Sequence, residues 1–349
     1  MVKIGFDKTK INKIIIFSPN WLGDTVISTA LVSSIKKEFP SSLIVIAANK
    51  YVYPLWAGNP LVSEILRCEV RGVEGIISYV KLLLKLKKYR FDLAIILPHC
   101  FRYALFSFLA GIPLRAAYNV GYRKALLTHS LDYTDSLRAE HILENYLAVL
   151  DSIGIKLRER KLFLNVKPEN GKKADDLLKA NKIKSERLII GIGPGAVYGE
   201  AKRWPKERFA ELITLLGKEE RAHIFVFTGT GEKILGDWLR RHTENPSVVF
   251  IHDYPLAEVM SLIKRCALFI GNDSGLGHIA AALDIKTISI FGSTSPRWTA
   301  PCGKNNITIY KQLSCSPCFT RKCRLGHCFC LASISAGEVM EAVSAQLKN

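Results

Sequence analysis

Long hydrophobic runs are missing from this sequence. No uninterrupted apolar stretch approaches the roughly 18 residues that a membrane-spanning helix needs. The N-terminal stretch has an apolar core of only Ile14 to Phe17, which is too short for a secretory signal, and no small-residue cleavage site follows it. We therefore expect a soluble chain that stays in the cytoplasm.

Acidic residues are also scarce relative to basic ones. Lys and Arg number 49 against 31 Asp and Glu, which leaves a formal net charge of +18. This surplus favours an acidic partner, whether nucleic acid, anionic lipid or a phosphorylated substrate, although a solvated basic surface would carry the same charge. Because zinc-finger spacing, an aromatic RNA-binding strand and a basic helical tail are all absent, we expect no nucleic-acid partner.

Short β-branched runs alternate with helical patterns through most of the 349 residues, which is typical of βαβ units and a mostly parallel sheet. The predicted strands are 13–17, 43–47, 92–97, 188–193, 224–227, 248–251, 267–270 and 287–291. The predicted helices are 25–38, 76–88, 207–216, 256–264 and 277–283. The sequence therefore predicts an α/β fold of two Rossmann-like, doubly wound domains.

A polar stretch at 167–185 separates the two sets of elements. Its charge and its chain-breaking residues predict a boundary near it, between domains 1–170 and 171–349. Doubly wound units bind ligands at the carboxyl ends of their strands. We therefore expect the functional residues in loops that follow strands.

The first such loop follows strand 13–17, where Gly23 and Asp24 open the next helix. An Asp at this point can simply complement the helix dipole. A carboxylate at the end of the first strand, beside a glycine that lets a substrate approach the backbone, can also act as a general base. The residues alone leave both interpretations open.

The second loop follows strand 188–193 and contains Gly195 and Ala196, then the basic pair Lys202-Arg203. Small residues expose backbone N–H groups to a phosphate, and Lys202 supplies a positive charge for it. A glycine-rich turn with a solvated lysine is the plainer alternative. This loop by itself is weak evidence.

The third loop is the most specific one. After strand 267–270, Asp273, Ser274 and Gly275 lead into a helix that carries His278 on its first turn. The free N–H groups and the dipole of such a helix start form an anion site that suits a diphosphate. A lone His is more often structural, but the next strand also ends in a small loop, at 291–294, so that three small loops converge on this edge of the second sheet.

Together these motifs resemble one enzyme family. Gly23-Asp24, KRWP at 202–205, and NDSGLGHIAAAL at 272–283 followed by FGSTSP are similar to the bacterial lipopolysaccharide heptosyltransferases, glycosyltransferase family nine. The likeness extends from about Lys13 to Leu331. The tail CSPCFTRKCRLGHCFCL is similar to that of the subgroup that adds the second heptose.

The resemblance implies the GT-B architecture, in which two Rossmann-like domains face a central cleft. The N-terminal domain would bind the acceptor and the C-terminal domain the nucleotide sugar. It implies inverting transfer of L-glycero-D-manno-heptose from ADP-heptose to the first heptose of the inner core in lipid A-Kdo-heptose. The alternatives are addition of the first heptose to Kdo, or another nucleotide-sugar enzyme of this fold, an epimerase or hydrolase.

The resemblance also implies roles for residues. Asp24 is the expected catalytic base, and Lys202 the cation that neutralises the leaving diphosphate. Glu232 is expected at the ribose hydroxyls and Tyr254 near the adenine, although either could be a solvated surface residue. The other expected substrate contacts are Gly23, Gly195, Ala196, Asp273, Ser274, Gly275 and His278. Because an Asp-x-Asp motif is absent from the sequence, we expect no catalytic divalent ion and no cofactor.

Nine cysteines occur, and five of them crowd into 315–330. Four of these, with His327 and Cys330 nearby, could hold a structural zinc ion: Cys315, Cys318, Cys323 and Cys328. Their spacing matches no standard zinc finger. Redox-labile disulfides and reduced, buried thiols are the alternatives.

The predicted helix 76–88 carries a basic stripe of Lys81, Lys85 and Lys88 beside several leucines, Leu82, Leu83 and Leu86. Such a helix can lie on an anionic membrane, and the resemblance implies peripheral contact with the cytoplasmic face of the inner membrane. A crossover helix with a solvated outer face is the alternative. Because the expected base and the expected cation fall in different domains, we also expect the cleft to close about a hinge in 167–185.

Overall fold

A computed structural model describes the chain at residues 7–68, 74–183, 186–218, 222–243 and 245–348. Contacts between residues divide the chain into two compact units, Met1–Asn165 and Val166–Asn349. This division lies within a few residues of the predicted one. The start of the N-terminal stretch, residues 1–6, and the end of the predicted linker, residues 184–185, lie outside the described part.

Six parallel strands form the sheet of the first unit. Strands β1 to β6 are Lys13–Phe17, Leu43–Ala48, Glu64–Arg67, Leu93–Ile96, Leu114–Asn119 and His129–Asp132. Helices α1 to α7 are Leu22–Ser28, Ala30–Glu38, Tyr53–Trp56, Glu74–Tyr89, Phe101–Leu109, Asp135–Ala139 and Ile142–Ser152. The spatial order of the strands is β3-β2-β1-β4-β5-β6.

The second unit also has a six-stranded parallel sheet. Strands β7 to β12 are Leu188–Gly193, Ala222–Thr228, Val248–His252, Leu268–Asn272, Lys286–Phe291 and Asn306–Tyr310. Helices α8 to α15 are Pro168–Ala180, Lys206–Lys218, Lys233–His242, Leu256–Ile263, Gly275–Ala282, Pro296–Thr299, Phe329–Ala332 and Ala336–Lys348. The spatial order is β9-β8-β7-β10-β11-β12.

The two sheets share one topology. When the strands of each unit are numbered from its own first strand, both orders read 3-2-1-4-5-6. This is the doubly wound order in which ligands bind where the chain direction across the sheet reverses, outside the carboxyl ends of the first and fourth strands. The prediction of an α/β fold with two Rossmann-like units is confirmed.

The first helical region differs from the predicted helix 25–38. It begins at Leu22 and is interrupted at Thr29 between α1 and α2. The hydroxyl of Ser28 donates to the carbonyl of Thr25 at 2.8 Å, and that of Thr29 to the carbonyl of Val26 at 2.6 Å. Such side-chain bonds compete with the helical ones. The earlier start places Asp24 inside the first turn of α1.

The predicted linker and hinge at 167–185 is wrong as a description of most of that stretch. Residues 168–180 form α8, with Pro168 in the first turn, where a missing N–H costs nothing. Asp175 accepts two bonds from the Arg265 guanidinium, at 2.7 and 3.0 Å, and α8 packs against α11. The polar composition belongs to the solvated face of a helix that is fixed to the second unit.

The apolar residues of α4 divide between two faces of the helix. Leu82 and Leu86 are buried in the core of the first unit, as expected for a crossover helix that packs on the sheet. Ile77, Val80 and Leu84 face solvent instead, beside the predicted basic stripe. Among the described residues, none of the helices combines the length and the apolar character that crossing a bilayer requires.

Candidate functional site

The carboxyl edge of the second sheet is organised around Asn272, the last residue of β10. Its amide nitrogen donates to the carbonyl of Pro194 at 2.7 Å, and its amide oxygen accepts from the backbone N–H of Trp204 at 2.9 Å. One buried side chain therefore connects β10 to both ends of the loop that carries Gly195, Ala196 and Lys202. This role was not predicted from the sequence, although Asn272 belongs to the most specific motif.

Asp273 and Lys202 form an ion pair at this edge. The Lys202 ammonium lies 2.5 Å from Asp273 Oδ2, and their side chains are only 12% and 3% exposed. The same carboxylate oxygen accepts from the hydroxyls of Thr294, at 2.6 Å, and Thr299, at 3.3 Å. Because Asp273 already accepts three donors, its main role in this structure is to hold Lys202 in place.

Three polar side-chain atoms at this edge are buried and have no hydrogen-bond partner within the described ranges. They are the hydroxyls of Ser274 and Ser293 and the indole N–H of Trp298. Ser274 is the N-cap of α12, but its side chain makes no capping bond, and the first N–H groups of that helix have no intrahelical acceptor. His278 is buried in the same helix. Unsatisfied buried groups are rare in proteins, so their concentration here indicates a ligand site.

Glu232 and Tyr254 follow the neighbouring strands β8 and β9. The carboxylate of Glu232 lies against Gly195, so that a Cβ atom at Gly195 would fall 1.9 Å from Glu232 Oε1. The same carboxylate accepts from the backbone N–H of Gly229 at 3.0 Å. Tyr254 is exposed. The structure therefore brings Glu232 to the predicted phosphate loop, while the assignments to ribose and adenine remain predictions.

The cysteine-rich segment packs against the loop that carries Lys202. The ring of Tyr198 lies near two cations, 4.9 Å from the Lys202 ammonium and 5.5 Å from the Arg321 guanidinium. The Tyr198 hydroxyl donates to the carbonyl of Phe319 at 2.6 Å, and the Ala201 N–H to that of Arg321 at 3.1 Å. Tyr198 and Arg321 were not predicted as site residues, because nothing in the sequence spacing links position 198 to position 321.

The five clustered cysteines line one cavity of about 250 Å³, together with Ser293 and Ala201. Within the described ranges, these five cysteines form no disulfide bond. Backbone N–H groups, first that of Cys328, hold the pKa of Cys323 below its usual value, whereas burial raises the pKa of Cys328 to about 11. In the part of the chain that the structure describes, no three His, Cys, Asp or Glu side chains stand together in a group that could hold a metal ion. Structural zinc stays one of the three alternatives for this cluster.

In the first unit, Asp24 is half-buried on the first turn of α1, directly after Gly23. It lies near the buried Tyr146 of α7. The pKa of that phenol is raised well above its usual value, mainly by burial and further by the Asp24 charge. The position suits both a helix-dipole residue and a proton acceptor at the end of β1.

Two residues near this edge were missed by the sequence analysis. His99 follows β4, and its ring meets the rings of Tyr118 and Tyr133 edge-on at 5.6 and 5.1 Å. The fully buried Arg123 donates to the carbonyls of Tyr118, at 2.6 Å, and Pro98, at 2.7 Å. Burial and the Arg123 charge lower the pKa of His99, which favours the neutral imidazole. The signal available in the sequence was the position of His99 just after strand 92–97.

Comparisons with known proteins identify the family and agree with the fold. A family model described as glycosyltransferase family 9 (heptosyltransferase) matches residues 79–329. The chain is 30% identical over 303 residues to lipooligosaccharide heptosyltransferase 2 of Haemophilus influenzae, covering 82% of this chain and 85% of that protein. It is 29% identical over 299 residues to lipopolysaccharide heptosyltransferase 2 of Escherichia coli, covering 83% and 85%. The solved structure of E. coli ADP-heptose heptosyltransferase II matches with a TM-score of 0.81 and 27% identity, over 96% of this chain and 98% of that one.

Proposed function

The chain belongs to glycosyltransferase family 9, and we propose that it transfers L-glycero-D-manno-heptose from ADP-heptose to the first heptose of the inner core in lipid A-Kdo-heptose. The relatives named heptosyltransferase 2 support this acceptor, since the likeness covers most of both chains. The observation that supports ADP-heptose as the donor is the arrangement of side chains at the carboxyl edge of the second sheet. There Lys202, fixed by its ion pair with Asp273, lies near the start of α12. Three buried polar atoms at the same edge have no hydrogen-bond partner within the described ranges.

We propose that this edge binds the diphosphate of the donor. As the glycosyl bond breaks, negative charge grows on the departing ADP, and groups fixed at that point stabilise it without reorganisation. Lys202 has three donors, so it can keep its bond to Asp273 and still reach a phosphate oxygen. The N–H groups at the start of α12 and the hydroxyls of Ser274 and Ser293 add further donors. In this proposal, no catalytic divalent ion and no cofactor take part.

The acceptor half of the proposal rests on the first unit. Asp24 would accept the proton of the acceptor hydroxyl as that oxygen attacks the anomeric carbon, with inversion. A negative charge on a carboxylate in the first helical turn is favoured by the helix dipole. The acceptor is lipid-linked, so we propose that the enzyme works in the cytoplasm in peripheral contact with the inner membrane, with no nucleic-acid partner.

Mass spectrometry of the product tests the proposal. ADP-heptose would be offered with two defined acceptors, one carrying Kdo alone and the other Kdo plus one heptose. We expect a mass increase of one heptose only on the second acceptor. Transfer to Kdo alone would reassign the enzyme to the first heptose, and release of heptose without any acceptor would identify a hydrolase.

Addition of EDTA to the same assay tests for a catalytic divalent ion and for a structural zinc ion. Activity that persists in EDTA supports a transfer without a divalent ion. Prompt loss that magnesium or manganese restores would contradict it. Slow loss with unfolding and release of zinc would instead place a structural ion among the clustered cysteines.

A further inference from the structure

Helices α4 and α5 lie side by side on one face of the first sheet. Both contribute to the same core cluster, α4 through Leu82 and Leu86 and α5 through Phe106. The Tyr79 ring of α4 packs 5.2 Å from that of Phe106, and the Arg102 guanidinium of α5 donates to the Tyr79 hydroxyl at 3.0 Å. The solvent-facing sides of the two helices therefore belong to one outer layer, which we call the α4–α5 surface.

This surface exposes an unusual amount of apolar side chain. Six large apolar residues on the two helices are 45 to 62% exposed: Ile77, Val80, Leu84, Phe101, Phe108 and Leu109. On α4 the spacing of three and four residues aligns Ile77, Val80 and Leu84 in one row. Single exposed apolar residues are ordinary, but a row of them beside a second exposed helix marks an interaction site.

The charge around these residues is almost entirely positive. From the start of α4 at residue 74 to residue 131 the sequence contains five Lys and four Arg but only two acidic residues, Glu74 and Asp92. The Asp92 carboxylate is occupied at the amino end of β4, where it accepts from the backbone N–H groups of Asn12 and Lys13 at 2.8 Å each. On α4, Lys81, Lys85, Lys87 and Lys88 are all exposed.

We propose that the α4–α5 surface lies flat on an anionic lipid bilayer, with its apolar row in the interface and its lysines among the headgroups. Apolar and basic groups together fit this partner, because apolar area and electrostatic attraction add in interfacial binding. A second copy of the chain would bring like charges together at the same face. Nucleic acid would leave the exposed aliphatic row without a partner. The inference rests on the proposed function only for the acceptor's location in a membrane.

Vesicle flotation tests the electrostatic part. We expect the protein to float with vesicles that contain phosphatidylglycerol and much less with pure phosphatidylcholine. The Lys81→Glu/Lys85→Glu variant should lower the partition coefficient by roughly 30-fold or more, the factor expected from losing two lysines at an anionic surface. The matched control is Lys172→Glu/Lys179→Glu on α8 in the second unit, which changes the net charge equally at two exposed positions. Equal loss in both variants would overturn the assignment to this surface.

The apolar part needs its own variant, because salt screens lysines but not hydrophobic contact. Leu84→Ser/Phe101→Ser should weaken vesicle binding about tenfold at high salt, whereas Ile234→Ser, at an exposed position of α10, should leave it unchanged. Thermal unfolding verifies that each variant folds. If sedimentation equilibrium shows a dimer that Leu84→Ser/Phe101→Ser dissociates, the surface is a contact between copies and the proposal is overturned.

Transfer to a soluble acceptor that carries no lipid distinguishes this inference from the proposed function. We expect all surface variants to transfer heptose to the soluble acceptor at the wild-type rate, and the α4–α5 variants to lose activity only on vesicle-embedded acceptor. Vesicle binding without any transfer to either acceptor would contradict the proposed function and leave the surface assignment intact. Transfer without vesicle binding would overturn the surface assignment and leave the proposed function intact.

Discussion

The carboxyl edges of the two sheets differ although their strand orders are the same. At the second edge, polar groups are already paired into a buried network that holds Lys202, and a few donors have no hydrogen-bond partner among the described residues. At the first edge, aromatic rings surround His99, and Asp24 is half-buried on a short helix. One edge suits the binding of an anion, and the other the acceptance of a proton. Topology therefore places the loops, and the side chains decide what each edge does.

The largest expected effect comes from removing the proposed base. Asp24→Asn keeps the size and much of the hydrogen bonding but cannot accept the proton, so turnover should fall at least about 100-fold. Binding of ADP, measured by calorimetry, should not change, because ADP is assigned to the other edge. The control is Asp135→Asn, at the matching first turn of α6. Near-normal turnover in Asp24→Asn would remove this residue from the mechanism.

Loss of the fixed cation should have the next largest effect. Lys202→Ala is expected to lower turnover about tenfold to 100-fold and to weaken ADP binding, because the charge matters most as the diphosphate departs. It also leaves the Asp273 carboxylate buried without its counterion, which lowers stability. Lys202→Ala/Asp273→Asn should recover the melting temperature but not the activity. Recovery of both would mean that Lys202 acts only on folding.

A smaller effect is expected from crowding the phosphate loop. In Gly195→Ala the new methyl group collides with the Glu232 carboxylate, which must move. If Glu232 binds the ribose, the dissociation constant for ADP should rise roughly tenfold, as for the loss of one charged hydrogen bond. Gly231→Ala is the control, because a Cβ atom there meets nothing within 4 Å. Additive effects of Gly195→Ala and Glu232→Ala on ADP binding would contradict a shared cause.

The smallest effect concerns the thiols beneath the second edge. Because its thiolate is stabilised, Cys323 should react with iodoacetamide at neutral pH before Cys328, whose pKa of about 11 keeps it protonated. Raising the pH towards 11 should narrow the difference between the reaction rates of Cys323 and Cys328. Peptide mass spectrometry would give the order, with the buried Cys266 as an unreactive internal control. Protection of the whole cluster until a chelator is added would favour bound metal over free thiols.

Much of the fold followed from periodicity. Buried parallel strands such as β1 and β7 are continuous β-branched runs, so their predicted bounds match the structure. Strands β3, β5, β6 and β12 were not predicted, because they are short or carry polar residues at half-buried positions. Helix α8 was mistaken for a linker, since a helix with one narrow buried face has a composition similar to that of a polar loop.

The sequence by itself determined the two-unit α/β fold, the family and the loops that carry the candidate residues, because these depend on local patterns and on motifs of adjacent residues. Tertiary structure alone decided that Asp273 holds Lys202, that Asn272 bonds both ends of the loop after β7, and that Tyr198 meets Arg321. It also decided which face of α4 is exposed. These relations join residues far apart in the chain, and their distances are fixed only when strands β7, β10 and β11 align their carboxyl ends in one sheet.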